Sequence, residues 1–138
     1  MKVALAQEVP GSWTVRLRFT AAPGGEYLFA QNAYLRGQIT AEVFEFVPAA
    51  MYLGILVQRG AIQENELLWL DGGESVESVV DLSADYAVDE HPLAGTRVRY
   101  RSLHPVFGVG PAAEERELDA ARAGGEALWA VSGWLELR

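Results

Sequence analysis

The tightest constraint on this chain is the alternation at residues 96–102, where Thr96, Val98, Tyr100 and Ser102 are interleaved with Arg97, Arg99 and Arg101. A helix would scatter the arginines around its circumference, whereas an extended chain with a side-chain period of two puts a β-branched and aromatic row on one side and three guanidinium groups on the other. The segment is therefore expected to be a strand with one wet face. Two more strands lie just upstream. Residues 67–70 are apolar and end at Asp71-Gly72-Gly73, a short polar side chain followed by two residues free to take positive φ, which makes a tight reversal cheap. Residues 74–82 then place Val76, Ser78, Val80 and Leu82 on a buried face, with Glu77, Val79 and Asp81 opposite. The connection DLSADYAVDEHPLAG is polar, yet Leu82, Tyr86, Val88 and Leu93 can lie against the edge of a core. Tyr86 has two readings: a plug with its ring inward and its hydroxyl on a backbone partner or solvent, or an ordinary half-buried loop tyrosine.

The remaining chain repeats this style. Residues 3–9 can make a strand broken at Pro10-Gly11, and in residues 13–19 Val15, Leu17 and Phe19 alternate with Arg16 and Arg18. If that strand neighboured 96–102, the two arginine rows would have to be spread by twist or interleaved with acids, because like charges directly opposite destabilise a pair. A turn at residues 21–25 precedes a short strand at 26–31, and NAYLRGQ is an irregular connection. Residues 39–47 carry Phe44 and Phe46 against Val43 and Val47, apolar on both faces, as in a central or covered strand. Residues 51–58 form another apolar strand in which Gly54 marks a bulge or a close backbone approach. Residues 103–111, rich in glycine and proline, cross from one edge or sheet to another. Residues 113–123 are open to a short helix or an edge strand with Leu118 inward, and the surrounding pattern favours the strand. The last strand, 127–137, has Trp129, Val131, Leu135 and Leu137 on one face and Leu128, Ala130 and Trp134 on the other.

About eight to ten short strands with turn residues at regular spacing predict an all-β fold, an immunoglobulin-like antiparallel β-sandwich occupying residues 1–138 as one domain. A chain of 138 residues can bury a core without disulfides or a structural metal. The absence of cysteine removes both the Cys-Trp-Cys core of antibody domains and any thiolate metal site.

The stretches GESVESVVDLSADYAVDEHPLAGTRVRYRS and YLGILVQRGAIQENELLWLDG carry a resemblance. Tyr52, Gly54, Arg59, Gly73, Glu74, Ser75, Val76, Val80, Asp81, Leu82, Tyr86, Gly95, Thr96, Val98 and Tyr100 fall in order on the pattern of the non-catalytic β-sandwich that precedes the catalytic domain in deuterolysin-type, or peptidyl-Lys, zinc metalloendopeptidases. Residues 32–37 and 43–47 extend the match, so that it covers about residues 12–104, with Ala33-Tyr34 standing where relatives have a threonine-proline pair. What the resemblance implies is an accessory domain that acts on a protease as an inhibitor or folding assistant.

The chemistry of an enzyme is missing from the pattern. His91 and His104 are the two histidines, and neither has a second histidine four residues on, so the H-E-x-x-H of a zinc protease is lacking. Ser75, Ser78, Ser83 and Ser132 lie in no G-x-S-x-G elbow, GPAAE and DGGES are not phosphate loops, and pairs such as Glu64 with Glu66 mean nothing without geometry. No catalytic residue, cofactor or metal ligand is expected. The net charge of −8 argues against a nucleic-acid surface. Nine acids and no Lys or Arg fall between Ala61 and Glu90, which reads as solvated surface and lacks the spacing of an EF-hand calcium loop. No run reaches 18 apolar residues and the N-terminus lacks a secretory h-region, so a cytoplasmic protein away from membranes is expected, or an exported one if a leader has been removed.

Binding is what remains. Trp129 and Trp134 stand on opposite faces of one strand, so burying the first exposes the second or leaves it to be covered by a loop or another subunit. Trp134, with Arg97, Arg99 and Arg101, is the candidate partner-binding set, for a protein partner such as a peptidase or for a second copy of the chain. Structural or self-associating use of an uncovered strand face is the alternative. Carbohydrate binding ranks below both, because the aromatics form no evident planar strip.

Overall fold

The computed structural model describes residues 1–31, 33–35, 42–54, 64–101, 106–107 and 130–138. Nine strands fall in these segments: β1 Lys2–Gln7, β2 Thr14–Thr20, β3 Glu26–Phe29, β4 Phe44–Val47, β5 Leu67–Leu70, β6 Ser75–Asp81, β7 Arg97–Tyr100, β8 Val106–Phe107 and β9 Leu135–Glu136. All pairings are antiparallel, in three sheets that we call A (β1-β2-β6), B (β5-β3-β8) and C (β4-β7-β9). The fold is thus all-β, with its sheets arranged like a sandwich.

One core joins the sheets. Val15, Leu17, Phe19 and Val80 come from sheet A, Leu28 and Leu70 from sheet B, and Phe44, Phe46, Val98 and Tyr100 from sheet C. Phe19 meets Tyr100 edge to face at 5.2 Å, a ring contact that joins sheets A and C directly. The strand alternations that predicted these inward rows hold in β2, β6 and β7. Gln7 stitches the same two sheets at their rim: its side-chain amide donates to the carbonyl of Arg138 and accepts from the Arg138 N–H, much as a backbone unit would.

The turn after β5 forms as expected. Gly73 has φ of 79°, and a Cβ on Gly72 would lie 2.0 Å from the carbonyl oxygen of Pro23, so only glycine lets the two turns approach. Strand β6 ends one residue before its expected limit because the Asp81 carboxylate accepts from the N–H and hydroxyl of Ser83, capping one helical turn, α1, at Leu82–Asp85. The charge problem of two arginine rows is resolved by separation: β2 lies in sheet A and β7 in sheet C, and each row has its own acids.

Three expectations need correction. The run at 39–47 is neither central nor covered on both sides within the described residues. Strand β4 is at the edge of sheet C, Glu45 occupies its outer face, and Val47 is 41% exposed. Residues 51–54 are not a strand. They hold to the segment after α1 by an isolated bridge between Tyr52 and Tyr86, flanked by Leu53 N–H to Asp85 O and Ala87 N–H to Met51 O. What comes close to Gly54 is a side chain rather than backbone, since a Cβ there would lie 2.2 Å from the Tyr52 hydroxyl oxygen. In the last strand Val131 points outward while Leu137 is buried, so they do not share a face. The expectations for residues 36–41, 55–63, 103–105, 108–111 and 113–123, and for His104 and Trp129, lie outside the described residues.

Candidate functional site: the outer face of sheet C

The register of sheet C builds this face. Glu45 is opposite Arg99 and Val47 opposite Arg97 in the β4–β7 pair, while Arg97 is opposite Glu136 in the β7–β9 pair. Directly opposed residues project to the same side, so Glu45, Val47, Arg97, Arg99 and Glu136 form one patch, bounded by Val131 across the isolated bridge from Arg101.

Trp134 joins them through a break in the alternation. Before the break Ala130 and Ser132 are buried and Val131 is exposed; after it Leu137 is buried and Trp134 is 42% exposed. The switch of phase occurs at Ser132. Its N–H donates to the Tyr100 carbonyl, and its hydroxyl, rather than a backbone carbonyl, accepts from the Tyr100 N–H at 2.8 Å while donating to the carbonyl of Gly133. A side chain thus substitutes for one link of the ladder, and the strand resumes with Trp134 outward. Ser132 is the residue that reasoning from sequence missed. The glycine following it inside a strand pattern was the available signal of a bulge.

On the face itself, the Cζ of Arg99 lies 4.6 Å and that of Arg97 5.5 Å from the centre of the Trp134 ring. Arg99 bonds Glu45 Oε2 at 2.7 Å, and Arg101 bonds Glu45 Oε1 at 3.0 Å. These bonds, Arg101's first and then Arg99's, hold the Glu45 carboxyl below its usual range despite the opposing effect of partial burial. A cleft of about 250 Å³ adjoins them, lined by Glu42, Val43, Phe44, Glu45 and Arg101. The four residues singled out from sequence therefore lie together on one face.

Behind this face is an aromatic knot centred on Tyr86, which is 1% exposed. Its ring touches Phe44, Phe46 and Tyr52, and its hydroxyl oxygen accepts from the N–H groups of Val43 at 3.2 Å and Phe44 at 2.9 Å. Of the two readings of Tyr86, the inward plug on a backbone partner is the one realised. Burial pushes its pKa well up, against the smaller opposing effect of the two N–H donors. Tyr34, held at φ of 59°, donates to Asp85, and its pKa is also driven up by burial.

The remaining candidates for chemistry sit apart. Asp81 caps α1, Asp85 holds Tyr34, and His91 shares a hydrogen bond with the carbonyl of Ala49. Among the described residues no three of His, Asp or Glu converge as a metal site would need, and no helix is long and apolar enough to cross a membrane. On sheet B, Trp69 and Tyr27 meet at 66° between ring planes, edge on rather than as a flat strip. No protein-family model matches this chain, and no curated protein matches it.

Proposed function

We propose that this chain is a non-enzymatic protein-interaction module, an immunoglobulin-like antiparallel β-sandwich that meets its partner through the outer face of sheet C. The observation that carries the reading is Trp134, half exposed yet held against Arg97 and Arg99. Aromatic and arginine side chains are the groups most enriched among binding hot spots, and an indole already ordered by its neighbours has less rotamer freedom to lose on association. The resemblance of residues 12–104 to the accessory sandwich of deuterolysin-type peptidases makes a metallopeptidase the first partner to try, with the chain as inhibitor or folding assistant. The alternative of a structural, self-associating domain is favoured by a separate observation: Val47 and Val131 extend the exposed apolar surface on the same side of sheet C.

The test compares association and stability for Trp134→Ala. The recognition reading expects binding of a metallopeptidase to weaken by about 2 kcal/mol or more while the thermal midpoint is almost unchanged. The self-association reading expects light scattering to show a dimer that the same substitution dissociates. A variant that loses stability as a core aromatic would, with association untouched, removes Trp134 from the interface.

A further inference from the structure

The two arginine rows of this protein are treated differently. In sheet A, Arg16 sits between Glu8 and Glu77, and Arg18 lies 3.8 Å from Glu77. In sheet C, Arg99 and Arg101 share Glu45. Arg97 is the exception: among the described residues it has no carboxylate within ion-pair distance, although Glu136 stands opposite it in the register. Its guanidinium is exposed and is held instead by the Trp134 ring. An arginine that packs against an aromatic ring keeps its N–H fork for an oxygen acceptor, and the stacking restricts the side chain in advance.

Resting on the reading of this face as a recognition surface, we infer that Arg97 is its anion-reading residue and that the partner presents an acidic peptide segment, one Asp or Glu carboxylate beside an apolar side chain. The carboxylate takes the N–H fork of Arg97. The apolar neighbour rests on Val47, 41% exposed and directly across β4 from Arg97, or on the free part of the Trp134 ring. Charge favours a carboxylate over a phosphate, because Arg99 and Arg101 already pair with Glu45, and Arg97, without a carboxylate at ion-pair distance among the described residues, offers a single positive charge. That surplus suits a monoanion, on a chain whose formal charge is otherwise strongly negative.

A randomised peptide array probed with the full labelled chain tests the assignment, with phosphorylated copies of each acidic position included. Expected is selection of peptides that join Asp or Glu to a neighbouring apolar residue, with about tenfold weaker binding when the acid is replaced by its amide. Arg97→Gln should abolish that acid-to-amide ratio, Arg97→Lys should keep part of it, and Arg18→Gln on sheet A should leave it intact. Circular dichroism of each variant confirms that it is folded. If the wild type selects peptides without acidic preference and Trp134→Ala abolishes their binding, the Arg97 assignment falls while the recognition face stands. Preference for the phosphorylated copies, or light scattering that shows the face occupied by a second copy, overturns the carboxylate partner. Binding indifferent to both Arg97→Gln and Trp134→Ala overturns the inference and the recognition reading together, as does an array on which nothing is selected.

Discussion

The inner and outer faces of sheet C are built from alternate residues of the same strands: Phe44, Phe46, Val98 and Tyr100 on one side, Glu45, Val47, Arg97 and Arg99 on the other. Both faces are rich in aromatic contacts, but the surroundings differ. Inside, Phe44 lies 5.6 Å from Tyr100 and 6.1 Å from Tyr86, ring against ring and away from water, where deleting one leaves a cavity that its neighbours fill only in part. Outside, Trp134 meets guanidinium groups half in water, where attraction is offset by hydration and screened by salt. One sheet thus separates stability from recognition by the period of its strands, and contacts of similar length on its two faces have very different worth.

Substitutions on the two faces put that contrast at risk. The largest effect is expected from Phe44→Ala, which should lower unfolding stability by about 3–5 kcal/mol in urea titration; a loss below 1 kcal/mol would mean that the knot behind β4 can collapse and that the two faces are not so different. Tyr86→Phe keeps the ring and leaves the Val43 and Phe44 N–H groups without their acceptor, for a loss of about 1–3 kcal/mol. It should also alter the alkaline limit. Because the folded pKa of Tyr86 is raised, its contribution is present below about pH 10 and is lost as the pH rises further, where an unfolded chain's tyrosine ionises. The phenylalanine variant should lose stability less steeply there than the parent.

Trp134→Ala should change stability by no more than about 0.5 kcal/mol, measured alongside Phe44→Ala in the same titration. A loss near that of Phe44 would make the outer ring a core residue in all but position. The smallest effect belongs to Glu45→Gln. The folded pKa of Glu45 is depressed, so its ion pairs contribute above the unfolded value of about 4.3 and are lost as the pH falls through the folded one. The variant should therefore match the parent at acid pH and be slightly less stable near neutrality; identical curves throughout would leave the Arg99–Glu45–Arg101 cluster without energetic weight.

Much of the fold was legible where a strand has one wet side. Strands β2, β6 and β7 announce themselves because water on one face forces polar residues into every second position, and the Gly72-Gly73 turn because its backbone admits no other residue cheaply. Apolar runs were harder. Residues 51–54 look like a strand in composition, yet among the described residues their backbone pairs through an isolated bridge flanked by two hydrogen bonds and no ladder, since a hydrophobic run does not say whether a ladder partner will be in reach. The candidate site was half legible: Arg97, Arg99 and Arg101 could be put on one face, but nothing local put Trp134 over two of them.

The sequence by itself determined the period of the strands, the outward arginine rows and the buried partners of those rows, because each follows from local alternation, and it left Tyr86 open between an inward plug and a half-buried loop residue. Only the tertiary structure decided which acid neutralises which arginine and which arginine is left over. That depends on register: Glu45 falls opposite Arg99, Val47 opposite Arg97, and the Ser132 hydroxyl shifts the last strand so that Trp134 lands on the arginine side. Register in this sheet is set by pairing between residues as far apart in the chain as Phe44 and Tyr100, and by a serine that enters the ladder in place of a carbonyl, neither of which a local window of sequence contains.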